Sequence, residues 1–174
     1  MNLYVLRHAS AGTRRQNPAI DVKRPLDKEG KQQCILVGAY LNALKVQFDR
    51  IISSPLKRSQ QTAAFVGTEV GYESEIVISK ALAPGAAMRD FHDLIDSLNG
   101  DENILLVGHN PNISTFLGSL ISTAKTGIRL RKGAIARVDY DRRPGTLISL
   151  VEPRILRAIY GKVTSKSRRK TSRK

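Results

Sequence analysis

Three short stretches place an arginine or a histidine just past the end of an apolar run. Leu3 to Leu6 stops at Arg7-His8. "RIISS", residues 50–54, is followed by Pro-Leu-Lys-Arg, which sets Arg58 about one turn into the next segment. "NILLVG", residues 103–108, runs into His109-Asn110-Pro111. Arginine forks match phosphate oxygens in bidentate fashion. Neutral imidazole is a nucleophile near physiological pH and can attack phosphorus in line to form a phosphohistidine. Nearby cations keep such a ring neutral, because a further positive charge is disfavoured. They also offset the charge on the phosphoryl oxygens in the transition state. A lone Arg-His pair, a lone histidine after a strand or a lone surface arginine is ordinary. The three features acquire meaning because they share one address, the C-terminal tip of an apolar strand.

That address depends on the elements around it. Strand and helix signals alternate along the chain. Val37, Tyr40, Leu41 and Leu44 recur at helical spacing after a polar loop that holds "DVKRPLDKEG". Ser54-Pro55 and Asn110-Pro111 each read as a cap residue followed by proline at the first helical position. "SEIVIS", residues 74–79, reads as a third strand, and Phe91, Leu94, Ile95 and Leu98 mark another helix. The wholly apolar centre of residues 103–108 suits a strand covered on both faces. "AIARVDY" and "GTLISLV" read as two strands joined by the turn-like "DRRPG". The pattern predicts an α/β fold: a three-layer α/β/α sandwich, with a mainly parallel central sheet and an antiparallel element near the C-terminus. In such sheets ligands bind beyond the carboxyl ends of the strands. The three tips would therefore meet there as two arginines and two histidines beside helix N-termini, a cage for a phosphoryl group.

Bulk properties agree. The 174 residues suit one domain with a real core. No apolar run is long enough to span a bilayer, and no signal-peptide pattern opens the chain. Cys34 is the only cysteine, so no intrachain disulfide can form, and a reducing, cytoplasmic setting is expected. Burial of Cys34 as a small hydrophobe is the expected role. The net charge is +14. Residues 162–174 hold seven Lys/Arg and no acid, and should be disordered. The remaining 22 bases and 15 acids still leave a positive body, which suits an anionic substrate or an acidic partner. The tail reads as a solubilising end or as a weak anchor for nucleic acid or another polyanion. Nothing else in the chain favours nucleic acid, and the compact pattern suggests a monomer. There is no P-loop, no paired metal-ligand spacing and no acidic cluster for Mg²⁺, so neither a cofactor nor a metal is expected. His92, between Phe91 and Leu94, lies off the strand tips and reads as structural.

"LYVLRHASAG" resembles the Arg-His-Gly signature of the histidine phosphatase superfamily, also called phosphoglycerate mutase-like. "SSPLKRSQQTA" resembles its second-arginine motif and "LLVGHNP" its second-histidine motif. The short length, "RPLDKEG" and "VGHNPNIS" resemble the small SixA-type phosphohistidine phosphatase branch. The resemblance implies a catalytic domain over residues 1–152, with residues 153–174 as a basic extension, disordered from about 162. It implies that His8 is the nucleophile that carries the phosphoryl group, with Arg7, Arg58 and His109 completing a catalytic, phosphate-binding pocket. Arg24, in "KRPL", matches a position typical of the small branch and is expected to border the substrate site, as is Asn110.

Two departures stand out. Ala9 replaces the usual glycine of the signature, as is common in the small branch. Larger members supply a carboxylic acid after the third strand to protonate the leaving oxygen, whereas here residues 80–89 contain no acid. Asp90 is the one candidate, and it reads as the start of a solvent-facing helix turn. An alkoxide leaving group needs a proton donor. A phosphohistidine ring protonated on its other nitrogen leaves as neutral imidazole, whose conjugate acid has a pKa of about 6.5. The expected activity is therefore hydrolysis of phosphohistidine on phosphotransfer proteins. Alternatives are a phosphomonoesterase for a small phosphoester, and a non-catalytic module that binds phosphate or polyanions. A mutase would need extra loops that this length does not offer.

Overall fold

A computed structural model describes residues 1–160 apart from residues 99 and 125. The expected disordered tail from about 162 lies outside the described residues. Chain order is β1 (Asn2–Arg7), α1 (Pro18–Val22), α2 (Lys28–Ala43), β2 (Arg50–Ser53), α3 (Lys57–Glu69) and β3 (Val77–Ile78). There follow a 3₁₀ turn (Lys80–Leu82), α4 (Met88–Asp96), β4 (Asn103–Gly108), α5 (Asn112–Ile121), β5 (Ile135–Asp139) and β6 (Thr146–Val151). A last helix, α6, covers 153–160.

The six strands form one sheet in the order β3-β2-β4-β1-β5-β6. β3, β2, β4 and β1 run parallel, and β5 is antiparallel to both of its neighbours. Side chains alternate across the sheet because the strand period is two. Leu3 and Val5 therefore face one layer, with Phe91 and Ile95 of α4 and Phe116 and Leu117 of α5. Tyr4 and Leu6 face the other, with Val37 and Leu41 of α2, Val66 of α3 and Leu156 of α6. Phe91 and Phe116 stack at 4.2 Å between centroids. This is the expected three-layer α/β/α sandwich. Among the described residues, no helix is long and apolar enough to cross a membrane.

Several local expectations are corrected. The third strand is only Val77–Ile78, half-exposed at the sheet edge, because only these two residues reach β2. α3 begins at Lys57 with Leu56 in the cap position, so Ser54 does not cap it. α5 begins at Asn112 after Pro111, so Asn110 is not its cap either. Asp27, read as loop, caps α2: its Oδ1 accepts from the backbone N–H of Gly30 at 2.7 Å. Leu44, read as part of the buried helix face, sits just past the end of α2 and is exposed. The expected boundary at 152 also moves. α6 starts at Pro153 and seats Leu156, 2% exposed, in the core against α2 and α3, so packing continues to residue 160.

Two glycines hold the loop after β1 in place. A Cβ on Gly30 would lie 1.9 Å from the carbonyl oxygen of Ser10, so α2 can approach residues 8–12 only with glycine there. Gly133 has φ +71, a conformation that costs side-chain-bearing residues dearly. Its N–H donates to the carbonyls of Arg7 (3.0 Å) and His8 (3.3 Å), which pulls the loop before β5 across the tip of β1.

Candidate active site

Register explains why the three tips meet. Arg7 pairs with Gly108 across β1 and β4, and Ser53 pairs with Val107 across β2 and β4. All three parallel strands thus end at one level. The N–H of His8 donates to Gly108 O at 3.0 Å, extending the ladder by one residue before the chain turns away. The result is a cavity of about 620 Å³ whose walls include Arg7, His8, Arg24, Arg58, His109 and Asn110. Every site residue expected from the sequence lines it.

The two imidazoles lie with centroids 4.8 Å apart. Nδ1 of His8 is 2.8 Å from the carbonyl oxygen of Ala9. A carbonyl only accepts, so Nδ1 carries the proton and Nε2 keeps its lone pair. That lone pair accepts from Nε of Arg58 at 3.3 Å. Burial pushes the His8 pKa down to about 3, helped by Arg58, Arg7 and Arg24 and opposed by the Ala9 bond. Burial likewise lowers His109 to about 2, with His8 and the same arginines adding to the effect. Both rings are neutral at pH 7, as the sequence argument requires.

The arginines are held from behind. Arg7 donates from Nη1 to Leu130 O at 2.9 Å, and its buried Nε has no partner among the described residues. Arg58 donates from Nη1 to the carbonyl (3.0 Å) and the carboxylate (3.3 Å) of Asp21. Arg24 donates from Nε to the Asp21 carboxylate at 2.8 Å and from Nη1 to Ala11 O at 2.6 Å. Arg24 therefore borders the cavity, as expected, but is anchored to its wall. Asn110 spends its side chain internally: Nδ2 donates to Leu130 O at 2.9 Å and Oδ1 accepts from Ser114 at 2.8 Å.

Sequence reasoning missed two residues. Asp21 is buried, sits on the one-turn helix α1, and is the only carboxylate in the described wall of the cavity. Hydrogen bonds from Arg24, with help from Arg15 N–H and the charge of Arg58, lower its pKa to about 2. Its signal was the i, i+3 spacing to Arg24 in "DVKR". Ser54 is fully buried, and a 2.7 Å hydrogen bond joins its Oγ to Nε2 of His109. It was visible in "SSPLKR" but read as a cap.

Asp90, the candidate proton donor, is exposed on α4 and accepts from Ala87 N–H at 3.1 Å. It caps that helix and is absent from the cavity wall. Cys34 is buried, and burial raises its thiol to about 12, so it is an inert core residue. Among the described residues no group of three His, Cys, Asp or Glu could hold a metal.

The family model of the histidine phosphatase superfamily (branch 1) matches residues 3–83, which include Arg7, His8, Arg24 and Arg58. A protein of Picosynechococcus sp. is 31% identical over 140 residues, covering 78% of this chain and 82% of its own. The chain belongs to the histidine phosphatase superfamily. As a member, it is a phosphatase, and its likeness over most of its length is to the small SixA type. Phosphohistidine phosphatase SixA of Escherichia coli is 26% identical over 143 residues, covering 81% of this chain and 86% of its own. In fold, this histidine phosphatase is similar to a protein histidine phosphatase SixA solved with tungstate, at TM-score 0.81 and 24% identity over 90% of this chain and 99% of that one. An alpha-ribazole phosphatase of Shigella flexneri shares the fold too, at TM-score 0.72 and 18% identity over 88% of this chain and 97% of that one.

Proposed function

We propose that this phosphatase hydrolyses phosphohistidine on phosphotransfer proteins through a covalent intermediate on His8. One observation carries the reading: the cavity offers an unprotonated imidazole nitrogen among fixed cations and, among the described residues, no carboxylic acid able to donate a proton. Asp21 is ionised, and both its oxygens are engaged by arginines.

In the first step, Nε2 of His8 attacks phosphorus in line. The bond from phosphorus to the substrate imidazole breaks, and that ring departs neutral, keeping the proton on its other nitrogen. Arg7, Arg58 and His109 surround the phosphoryl oxygens, and the anion takes over the Arg58 contact that otherwise goes to His8 Nε2. The His8 ring becomes cationic as it bonds phosphorus. Its Nδ1–H donates more strongly to Ala9 O as that charge develops. In the second step, water attacks phosphorus, the bond to Nε2 breaks, and His8 returns neutral with Nδ1 still protonated. Inorganic phosphate carries away the protons of the water. Neither step creates an alkoxide, so neither needs an added acid.

A small phosphoester would fit the cavity, but its leaving oxygen would find no carboxylic acid to protonate it among the described lining residues. A pure binding module has no use for a nucleophile held in one tautomer. The deciding experiment is a quench in alkaline detergent after incubation with a ³²P-phosphohistidine protein, followed by acid treatment of half of each sample. Acid-labile label should appear on His8 and vanish in His8→Ala, with turnover falling at least about 10³-fold. Faster turnover of a sugar phosphate than of the phosphohistidine protein would overturn the substrate assignment.

A further inference from the structure

A second cavity, of about 410 Å³, adjoins the first. Arg7 and Lys132 line both. Its far wall comes from the loop before β5, with Arg129, and from α6, with Arg157. Glu152 pairs with Arg131 and Arg154, and Glu29 accepts from Gln33. Those are the acids of this cavity, and they leave four further cations: Arg7, Arg129 and Arg157, which make no ion pair among the described residues, and Lys132, whose charge is also felt by Asp27. Burial lowers the pKa of Arg7, and the charge of Arg129 lowers it further, so the two like charges feel one another. Concave walls that concentrate one sign of charge attract the opposite sign.

We infer that this cavity is an anion subsite that receives a second anionic group of the same substrate, beside the phosphoryl group. The inference rests on the phosphoryl-binding role of the first cavity. Arg7 then has two tasks, one on each side of its guanidinium, of whose five N–H donors only Nη1 is seen donating to a protein carbonyl among the described residues. With a phosphohistidine protein, the second anion is an aspartate or glutamate carboxylate near the target histidine. A second phosphate on a small substrate has the same chemistry. The four cations are drawn from β1, the β5 loop and α6, so substrate choice would depend on α6, which the catalytic motifs do not include.

The test uses two matched substrate pairs. One pair is phosphohistidine peptides with Glu or Gln flanking the phosphorylated histidine. The other is phosphoesters with and without a second phosphate. The wild-type protein should favour the more anionic member of at least one pair by about tenfold or more in kcat/KM, less at high salt. In Arg129→Ala/Arg157→Ala the preference should collapse to within twofold, and turnover of the neutral member should hardly change. Both residues are exposed, so folding is preserved, and Lys at both positions should restore most of the preference. A preference confined to the peptides assigns the anion to a protein carboxylate, and one confined to the esters assigns it to phosphate. No discrimination in either pair, or a preference that survives in the double variant, overturns the subsite. Turnover of esters but of neither peptide would instead overturn the phosphohistidine reading, and the ester pair would still decide the subsite.

Discussion

Two neutral, buried histidines should make this fold acid-sensitive well above the carboxylate range. In the unfolded chain both rings take up protons near pH 6.5. In the folded chain they resist until pH is close to about 3 for His8 and about 2 for His109. The folded pKa values lie below the unfolded one, so the stabilisation is fully present above pH 6.5 and is lost as pH falls toward 3. Each such histidine contributes a slope of about 1.4 kcal/mol per pH unit inside that window. Two histidines over the two units from 6.5 to 4.5 would give about 5 kcal/mol. The rings face a solvent-filled cavity and interact with each other, so about half, 2–3 kcal/mol, is the expected loss. Asp21 and Asp27, whose pKa values are also lowered, act in the same direction but only as pH falls below their ordinary value of 3.8. The window from 6.5 to 4.5 therefore isolates the histidines. Urea unfolding at half-unit pH steps measures the slope, and His8→Asn and His109→Asn should each remove roughly half of it. A stability that stays flat across the window, or variants that keep the full wild-type slope, would refute the argument that both rings are neutral in the folded state.

Other outcomes follow from the same geometry. The kcat/KM of wild-type protein on a substrate that does not itself titrate should show no acid limb near pH 6.5; a limb there would mean that His8 is more exposed than its surroundings imply. Gly30→Ala drives a methyl into the Ser10 carbonyl and should cost about 2–3 kcal/mol, lowering Tm by roughly 5–10 °C in a thermal melt. Asp21→Asn frees Arg24 and Arg58 from their shared counter-charge; kcat should fall about tenfold or more, while stability, screened by the cavity solvent, should drop by only about 1–2 kcal/mol. An unchanged kcat in Asp21→Asn would show that Arg58 keeps its alignment without the carboxylate.

The sequence by itself determined most of the strands and helices and the candidate phosphate-binding residues. Apolar runs at Leu3–Leu6 and Ile104–Val107 are legible as buried strands because burial on both faces demands continuous hydrophobicity. Arg7, His8 and His109 were legible as candidates because they follow the ends of such runs, and Arg58 because it lies one turn into the helix after β2; parallel strands end together. What the linear pattern could not show is which polar atoms face one another. Asp21 lies 37 residues from Arg58, and Ser54 lies 55 from His109, so those bonds exist only once α1 and the strand tips converge. The same holds for His8, whose tautomer is set by the turn that brings its ring back onto the Ala9 carbonyl. It holds also for α6, whose short helix is stabilised by seating Leu156 between layers rather than by local propensity. Local sequence encodes periodicity and charge; register and burial, which depend on the whole sheet, decide protonation and which cation holds which anion.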